Sequence, residues 1–119
     1  MSKSLPYRVH TLSDNTELWI GKDAKSNDSL TFEYSEIEEW WCHVDEYPGS
    51  HIIIKCTNET LTNNIMKYAA IIAVKYSKAK NIKPPHTVSF CKCYQVKKKK
   101  RAVPGLVYLT GIVLNIKVT

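Results

Sequence analysis

No aspartate or glutamate follows Glu59, so residues 60–119 carry 12 lysines and arginines and not one carboxylate. That absence excludes local charge pairing in the second half of the chain. Several other absences narrow the function. No uncharged apolar run approaches the ~18 residues a membrane-spanning helix requires; the longest apolar-rich stretch, Tyr68 to Tyr76, is interrupted by Lys75. The N-terminal residues Met1-Ser2-Lys3-Ser4-Leu5 contain no apolar core of a secretory signal. There is no CxxC pair and no zinc-finger spacing of cysteine and histidine. A phosphate-binding glycine loop, an HExxH motif and a nucleophile elbow are likewise missing. Internal repeats and Gly/Ser linkers are absent. With 119 residues the chain can bury one core and has no room for two, so a single domain spanning 1–119 is expected. These readings exclude large multidomain enzymes, long coiled coils and membrane spans. They give no reason to expect a cofactor, a metal or a catalytic residue.

The expected location is cytoplasmic, where thiols stay reduced. Cys42, Cys56, Cys91 and Cys93 are then four free thiols, a metal or disulfide role being the alternative. Cys91 and Cys93 alternate along a strand and should face one side. The N-x-S/T triplets at Asn27 and Asn58 carry no weight without secretion.

What is present divides sharply. Residues 1–59 hold all 11 acidic side chains against five basic ones, a balance of −6; residues 60–119 carry +12. Such asymmetry points to a polyanion partner. Five of the basic residues form one run, Lys97-Lys98-Lys99-Lys100-Arg101. It reads as a phosphate-contacting segment, as a solvated turn matched by the acidic half, or as a nuclear-localisation signal, which would make a nuclear location the alternative.

Residues 8–12 and 17–20 read as a strand pair joined by Ser13-Asp14-Asn15, a hairpin ended by Gly21. Asn27 or Asp28 can cap a short helix near 28–34. Trp40-Trp41-Cys42-His43-Val44 reads as a buried strand, Pro48-Gly49 as a turn, and the β-branched His51–Cys56 as a central strand. Leu61, Ile65, Tyr68, Ala69, Ile72, Ala73 and Tyr76 recur at helical spacing, which predicts one long helix over about 60–78 capped by Thr60 or Thr62. Lys67, Lys75 and Lys78 lie off that stripe, and Pro84-Pro85 forbids continuation. Residues 87–92, 106–109 and 112–116 read as further strands. The fold class is therefore α+β, a mainly antiparallel twisted sheet with the long helix packed on one face.

Gly21-Lys22-Asp23-Ala24, Asn27-Asp28-x-Leu30, Trp41-x-His43-Val44 and Pro48-Gly49-Ser50-His51 follow one another in an order that resembles the NFACT-R domain family. The resemblance continues through Ala69-Ala70, Tyr76-Ser77-Lys78, and the basic run followed by Pro104-Gly105-Leu106-Val107. It covers roughly Val9 to Val118. Glu39 and Cys42 depart from the residues usual around the Trp-x-His. Long members of the family are ribosome-associated proteins of ribosome quality control that also carry an N-terminal NFACT domain and a coiled coil. This chain has room for neither and resembles the stand-alone members. The resemblance implies an RNA-binding domain and does not extend to the tail-synthesis activity of the long members.

The leading expectation is a non-enzymatic RNA-binding module for tRNA, rRNA or the ribosome, with DNA as the alternative polyanion. Lys97, Lys98, Lys99, Lys100 and Arg101 would contact phosphates, with Lys67, Lys75 and Lys78 as a second track; such contacts position without reading sequence. Trp40 alternates with Trp41, so one ring should face outward and stack on a base, unless both are core. His43 and His51 flank the Pro48-Gly49-Ser50 turn. They contact phosphate or base, aided by Ser50 and the turn's N–H groups, or they fix the turn by hydrogen bonds. A small RNA-cleaving enzyme using His43 and His51 is one alternative. A protein-interaction adaptor on ribosomal complexes is the other.

Overall fold

The computed structural model describes residues 5–99 and 103–119. Among these residues eight strands and two α-helices follow in the order β1 (Tyr7–Thr11), β2 (Glu17–Gly21), α1 (Ala24–Ser29), β3 (Trp40–Val44), β4 (Ile52–Ile54), α2 (Asn63–Lys75), β5 (His86–Lys92), β6 (Val96–Lys98), β7 (Val107–Leu109) and β8 (Leu114–Val118). Six strands form one sheet in the order β1-β2-β4-β3-β5-β8, and β6 and β7 form a separate hairpin. Every pairing is antiparallel. The α+β class and the antiparallel sheet are as expected.

The strand β4 shows why the sheet holds the molecule together. Ile52 and Ile54 face the same side as Trp40, Cys42, Val44, Val88 and Phe90, where they meet Ile65, Ala69, Ala70, Ile72 and Ala73 of α2. Ile53 faces the other side, with Trp41, Cys91, Cys93, Leu30 and Val96. Both faces are therefore covered, one by α2 and the other by the α1 segment and the β6–β7 hairpin. All three isoleucines are fully buried, and each such side chain contributes roughly 1.5–3 kcal/mol of apolar burial.

The long helix expected over 60–78 is not one element. Thr62 caps α2 by accepting from the Ile65 N–H, and Tyr76 leaves helical geometry at φ −99°, ψ 35°, giving 13 residues. Ser77 then caps a separate 3₁₀ turn, Lys78–Asn81. The break ties the chain to the Pro48-Gly49 turn: Gly49 bridges to Ser77, and the Lys78 N–H donates to the Pro48 carbonyl at 2.8 Å. Tyr68, placed in the apolar stripe by spacing, is half exposed. The buried arc is centred on Ala69 and Ala73 and takes in Ala70 instead.

The short helix starts four residues before the expected position. Asp23 caps α1, accepting from the Ser26 N–H at 2.7 Å, while the Ser26 hydroxyl accepts from the Asp23 N–H. This reciprocal box satisfies two of the orphan donors of a helix start. The helix runs directly into a π-helical turn, Leu30–Tyr34. With the cap supplied by Asp23, Asn27 is free for another role and is buried.

Candidate functional site

Asn27 locks three segments together. Its Nδ2 donates to the Gly49 carbonyl at 3.3 Å, and its Oδ1 accepts from the His51 N–H at 3.0 Å. The Gly21 N–H donates to the His51 carbonyl at 3.0 Å, and the Ser50 hydroxyl donates to the Gly21 carbonyl at 2.6 Å. Both glycines are required by packing. A Cβ on Gly21 would lie 1.8 Å from Asn27 Oδ1, and one on Gly49 would lie 2.7 Å from Ser77 Cβ. The result is a rigid floor made of the end of β2, the start of α1 and the Pro48-Gly49-Ser50 turn.

An open groove of about 1240 Å³ runs over this floor. Arg8, Lys22, Lys75, Lys78 and Lys80 line it, against the carboxylates of Asp23 and Glu46, and His43, Ser50 and Tyr76 also reach it. Arg8 and Lys75 each hold their charge 5.7 Å from the centre of the Tyr76 ring, so one ring positions two cations. Lys22 Nζ donates to the Leu5 carbonyl at 2.8 Å. Among the described residues no ion pair involves Arg8, Lys75, Lys78 or Lys80. Val103, Pro104, Gly105 and Leu106, which follow the basic run, form another edge of the groove. Asp28 holds this edge down: one carboxylate oxygen accepts from the Gly105 N–H at 2.9 Å and the other pairs with Lys98 Nζ at 3.0 Å.

Beneath the groove three rings pack at fixed angles. His43 lies stacked on Trp41, centroids 5.9 Å apart and planes 16° apart, and His51 meets the His43 ring edge-on at 5.6 Å. The antiparallel pairing of β3 with β4 brings the two histidines together. His51 is 2% exposed and its Nδ1 is 2.8 Å from the Thr31 hydroxyl. Burial, aided by the neighbouring His43, lowers its pKa to about 4. Burial also lowers the pKa of His43, with backbone groups of Gly49 and Val44 opposing. Both shifts favour the neutral imidazole, the form that hydrogen-bonds and stacks.

The expected site residues separate into two groups. His43 and Ser50 meet Lys75 and Lys78, from a separate stretch of the chain, in the groove. Lys67 is exposed on α2 away from it. Lys97, Lys98 and Lys99 are exposed, and Lys98 is matched by an acid from the first half of the chain. Lys100 and Arg101 lie outside the described residues.

Burial decides the alternatives for Trp40 and His51, and hydrogen bonding decides those for Ser50. Trp40 does not present a ring to solvent: it is 6% exposed and its Nε1 donates to the Asn58 carbonyl at 2.9 Å. Alternation does send Trp40 and Trp41 to opposite faces, but each face has its own core. His51 is enclosed and cannot touch a ligand. Ser50 lines the groove, but its N–H is engaged by the Tyr76 carbonyl at 3.0 Å and its hydroxyl by Gly21, so the turn offers neither donor to an anion.

Arg8, Lys22 and Lys80 were not singled out from sequence. Lys22 stood inside the Gly21-Lys22-Asp23-Ala24 motif, which was a usable signal; Arg8 and Lys80 had none. Lys92, counted with the basic half, is 7% exposed and donates to the carbonyls of Glu38, Thr57 and Asn58 at 2.8, 3.1 and 2.7 Å. It is a structural cation. The cysteines are free. Burial pushes the Cys91 and Cys93 thiols up to about 12 and raises that of Cys42 further, which removes them as nucleophiles. No helix of the described residues is long and apolar enough to cross a membrane.

Comparison with known proteins places this architecture. The chain is similar to the Rqc2 homolog RqcH of Bacillus subtilis (strain 168), 36% identical over 88 residues that make up 74% of this chain and 15% of that protein. It is similar to the Rqc2 homolog RqcH of Streptococcus suis (strain 05ZYH33), 33% identical over 76 residues, 64% of this chain and 14% of the relative. The chain thus spans only a small part of these relatives' length. Among solved structures it is similar to the C-terminal part of the fibronectin/fibrinogen-binding protein from Streptococcus suis. The TM-score is 0.86 at 28% identity, covering 100% of this chain and 47% of that one. The family of the NFACT protein RNA-binding domain matches residues 6–111, and the chain belongs to that family.

Proposed function

We propose that this chain is a non-enzymatic RNA-binding module that works in the cytoplasm on tRNA, rRNA or the ribosome itself, in the setting of ribosome quality control. The observation that carries this reading is the meeting of Arg8, Lys22, Lys75, Lys78 and Lys80 around one rigid groove in a chain of the NFACT RNA-binding family. Cations from β1, the β2–α1 turn, α2 and the following 3₁₀ turn converge there, and phosphate oxygens are the natural counter-charge. Lys97 and Lys99 are exposed outside the groove and offer further phosphate contacts. The Rqc2 homologs support the ribosomal setting.

The arrangement of the histidines supports binding over cleavage. Acid–base cleavage needs two imidazoles within reach of the substrate. His51 is enclosed and bonded to Thr31, so of this pair His43 alone reaches the groove. The test is fluorescence anisotropy with labelled tRNA and with ribosomal RNA fragments, run beside a cleavage assay on the same RNAs. Saturable binding without product is expected; RNA turnover, or no binding to any of them, would overturn the proposal.

A further inference from the structure

We infer that the groove selects an unpaired nucleotide, taking its base against His43 while the flanking phosphates ride on the lysines after α2. This inference rests on the RNA-binding reading above and adds what kind of RNA the groove accepts.

The argument begins with the unequal edges of the groove. On one side Lys75, Lys78 and Lys80 supply charge. On the other, Val103 and Leu106 are 65% and 51% exposed and carry no charge, and the nearby Lys98 is already matched by Asp28. The contacts of the floor set these edges apart: Gly105 lies against Ala24 of α1, Asn27 of α1 reaches Gly49, and Gly49 meets Ser77 beside the lysines. A nucleotide has the same polarity, phosphate at one end and a flat, weakly polar base at the other.

His43 supplies the base contact. Its ring is half-buried, reaches the groove, and is fixed from behind by Trp41 at 5.9 Å and by His51 edge-on at 5.6 Å. A ring so held loses no rotamer freedom on binding, which favours stacking or an edge hydrogen bond. Its recess matters as much as its chemistry. The bases of a duplex are stacked and paired, and the grooves of an A-form helix admit a recessed side chain poorly. An unstacked base can enter the groove and reach the ring. A duplex meets only the cationic edge.

The experiment measures anisotropy of a 12-nucleotide single-stranded RNA and of the blunt duplex formed from it and its complement, at one salt concentration. The wild-type chain should bind the single strand about tenfold more tightly, equivalent to roughly 1.4 kcal/mol. His43→Ala should remove that preference and leave duplex affinity unchanged. Lys78→Gln with Lys80→Gln should weaken both RNAs together. A second readout keeps the test independent of the variant's folding. In the wild-type protein the carbon-bound imidazole protons of His43 should shift in NMR spectra with the single strand and stay in place with the duplex. Equal affinity of the wild type for the two RNAs would overturn this inference and leave the RNA-binding reading standing. A loss in His43→Ala that is equal for both RNAs would also overturn it. Failure to bind either RNA would overturn both.

Discussion

His51 makes the stability of the domain depend on pH in a calculable way. In the folded protein its imidazole is enclosed and takes a proton only near pH 4, against 6.5 for the free side chain. Between those two values the unfolded chain binds more protons than the folded one, so stability rises with pH. The contribution is fully present above pH 6.5 and is lost progressively as the pH falls through about 4. At about 1.4 kcal/mol per pH unit the displacement is worth on the order of 3 kcal/mol, a large share of a small domain's stability. His43 adds to the effect in the same direction, because burial lowers its pKa too. Backbone hydrogen bonds from Thr16 and Ser26 lower the carboxyls of Asp14 and Asp23, which act in the same direction at the acid end of the series. Urea unfolding followed by tryptophan fluorescence at pH steps from 7 to 4 measures the slope. His51→Asn is the control, since an amide can still meet the Thr31 hydroxyl but does not titrate. The variant should be less stable at pH 7 and show a flatter decline toward pH 4, the remaining slope belonging to His43 and the carboxyls. A wild-type slope shared by the variant would refute the reasoning, as would an NMR titration of His51 with a midpoint near 6.5.

Gly21→Ala should cost about 2 kcal/mol or more of stability, because the added Cβ displaces the Asn27 amide that holds His51 and Gly49; thermal unfolding measures it, and a neutral result would mean Asn27 has room to move. Lys92→Met should destabilise by about 3 kcal/mol, leaving the carbonyls of Glu38, Thr57 and Asn58 without their donor. RNA affinity of the folded fraction should stay unchanged, in contrast to the groove lysines. Ile72→Ala should cost about 2–5 kcal/mol in chemical denaturation, since the side chain is 8% exposed in the face of α2 that meets the sheet. A change under about 0.5 kcal/mol would mean that this contact relaxes without leaving a cavity.

Local signals were legible in proportion to how local their causes are. The β1–β2 hairpin follows from two alternating segments and a turn at Asn15, whose φ of 72° suits asparagine. The stripe of α2 was visible through its period, but its end was not, because the Gly49–Ser77 bridge that breaks it joins residues 28 positions apart. Trp40 shows the limit of alternation: period two tells which residues share a face, not whether that face is covered. The element that covers Trp40, α2, comes from later in the chain. The histidine pair was recognised as a pair because both flank one turn. That one is enclosed and the other reaches the groove depends on Thr31 and on the loop around Gly105. The groove cations come from four segments, and only their assembly distinguishes Lys75 from Lys67 or Lys78 from the structural Lys92. The acid-free second half was plain from composition. Its pairing with the first half through Lys98 and Asp28 was not, since the two are joined only by the fold.

The measurement that tests the central claim most directly is the salt dependence of RNA binding by the wild type and by a chain with Lys75, Lys78 and Lys80 changed to Gln. All three side chains are exposed, so folding should be unaffected. For a single strand each phosphate contact contributes about 0.7 to the slope of log K against log salt, so losing three should flatten the slope by roughly 2. Affinity should fall for many RNA sequences alike, because these contacts carry no sequence information. A triple variant that binds with wild-type affinity and an unchanged slope would contradict the account and move RNA binding, if present, off the groove.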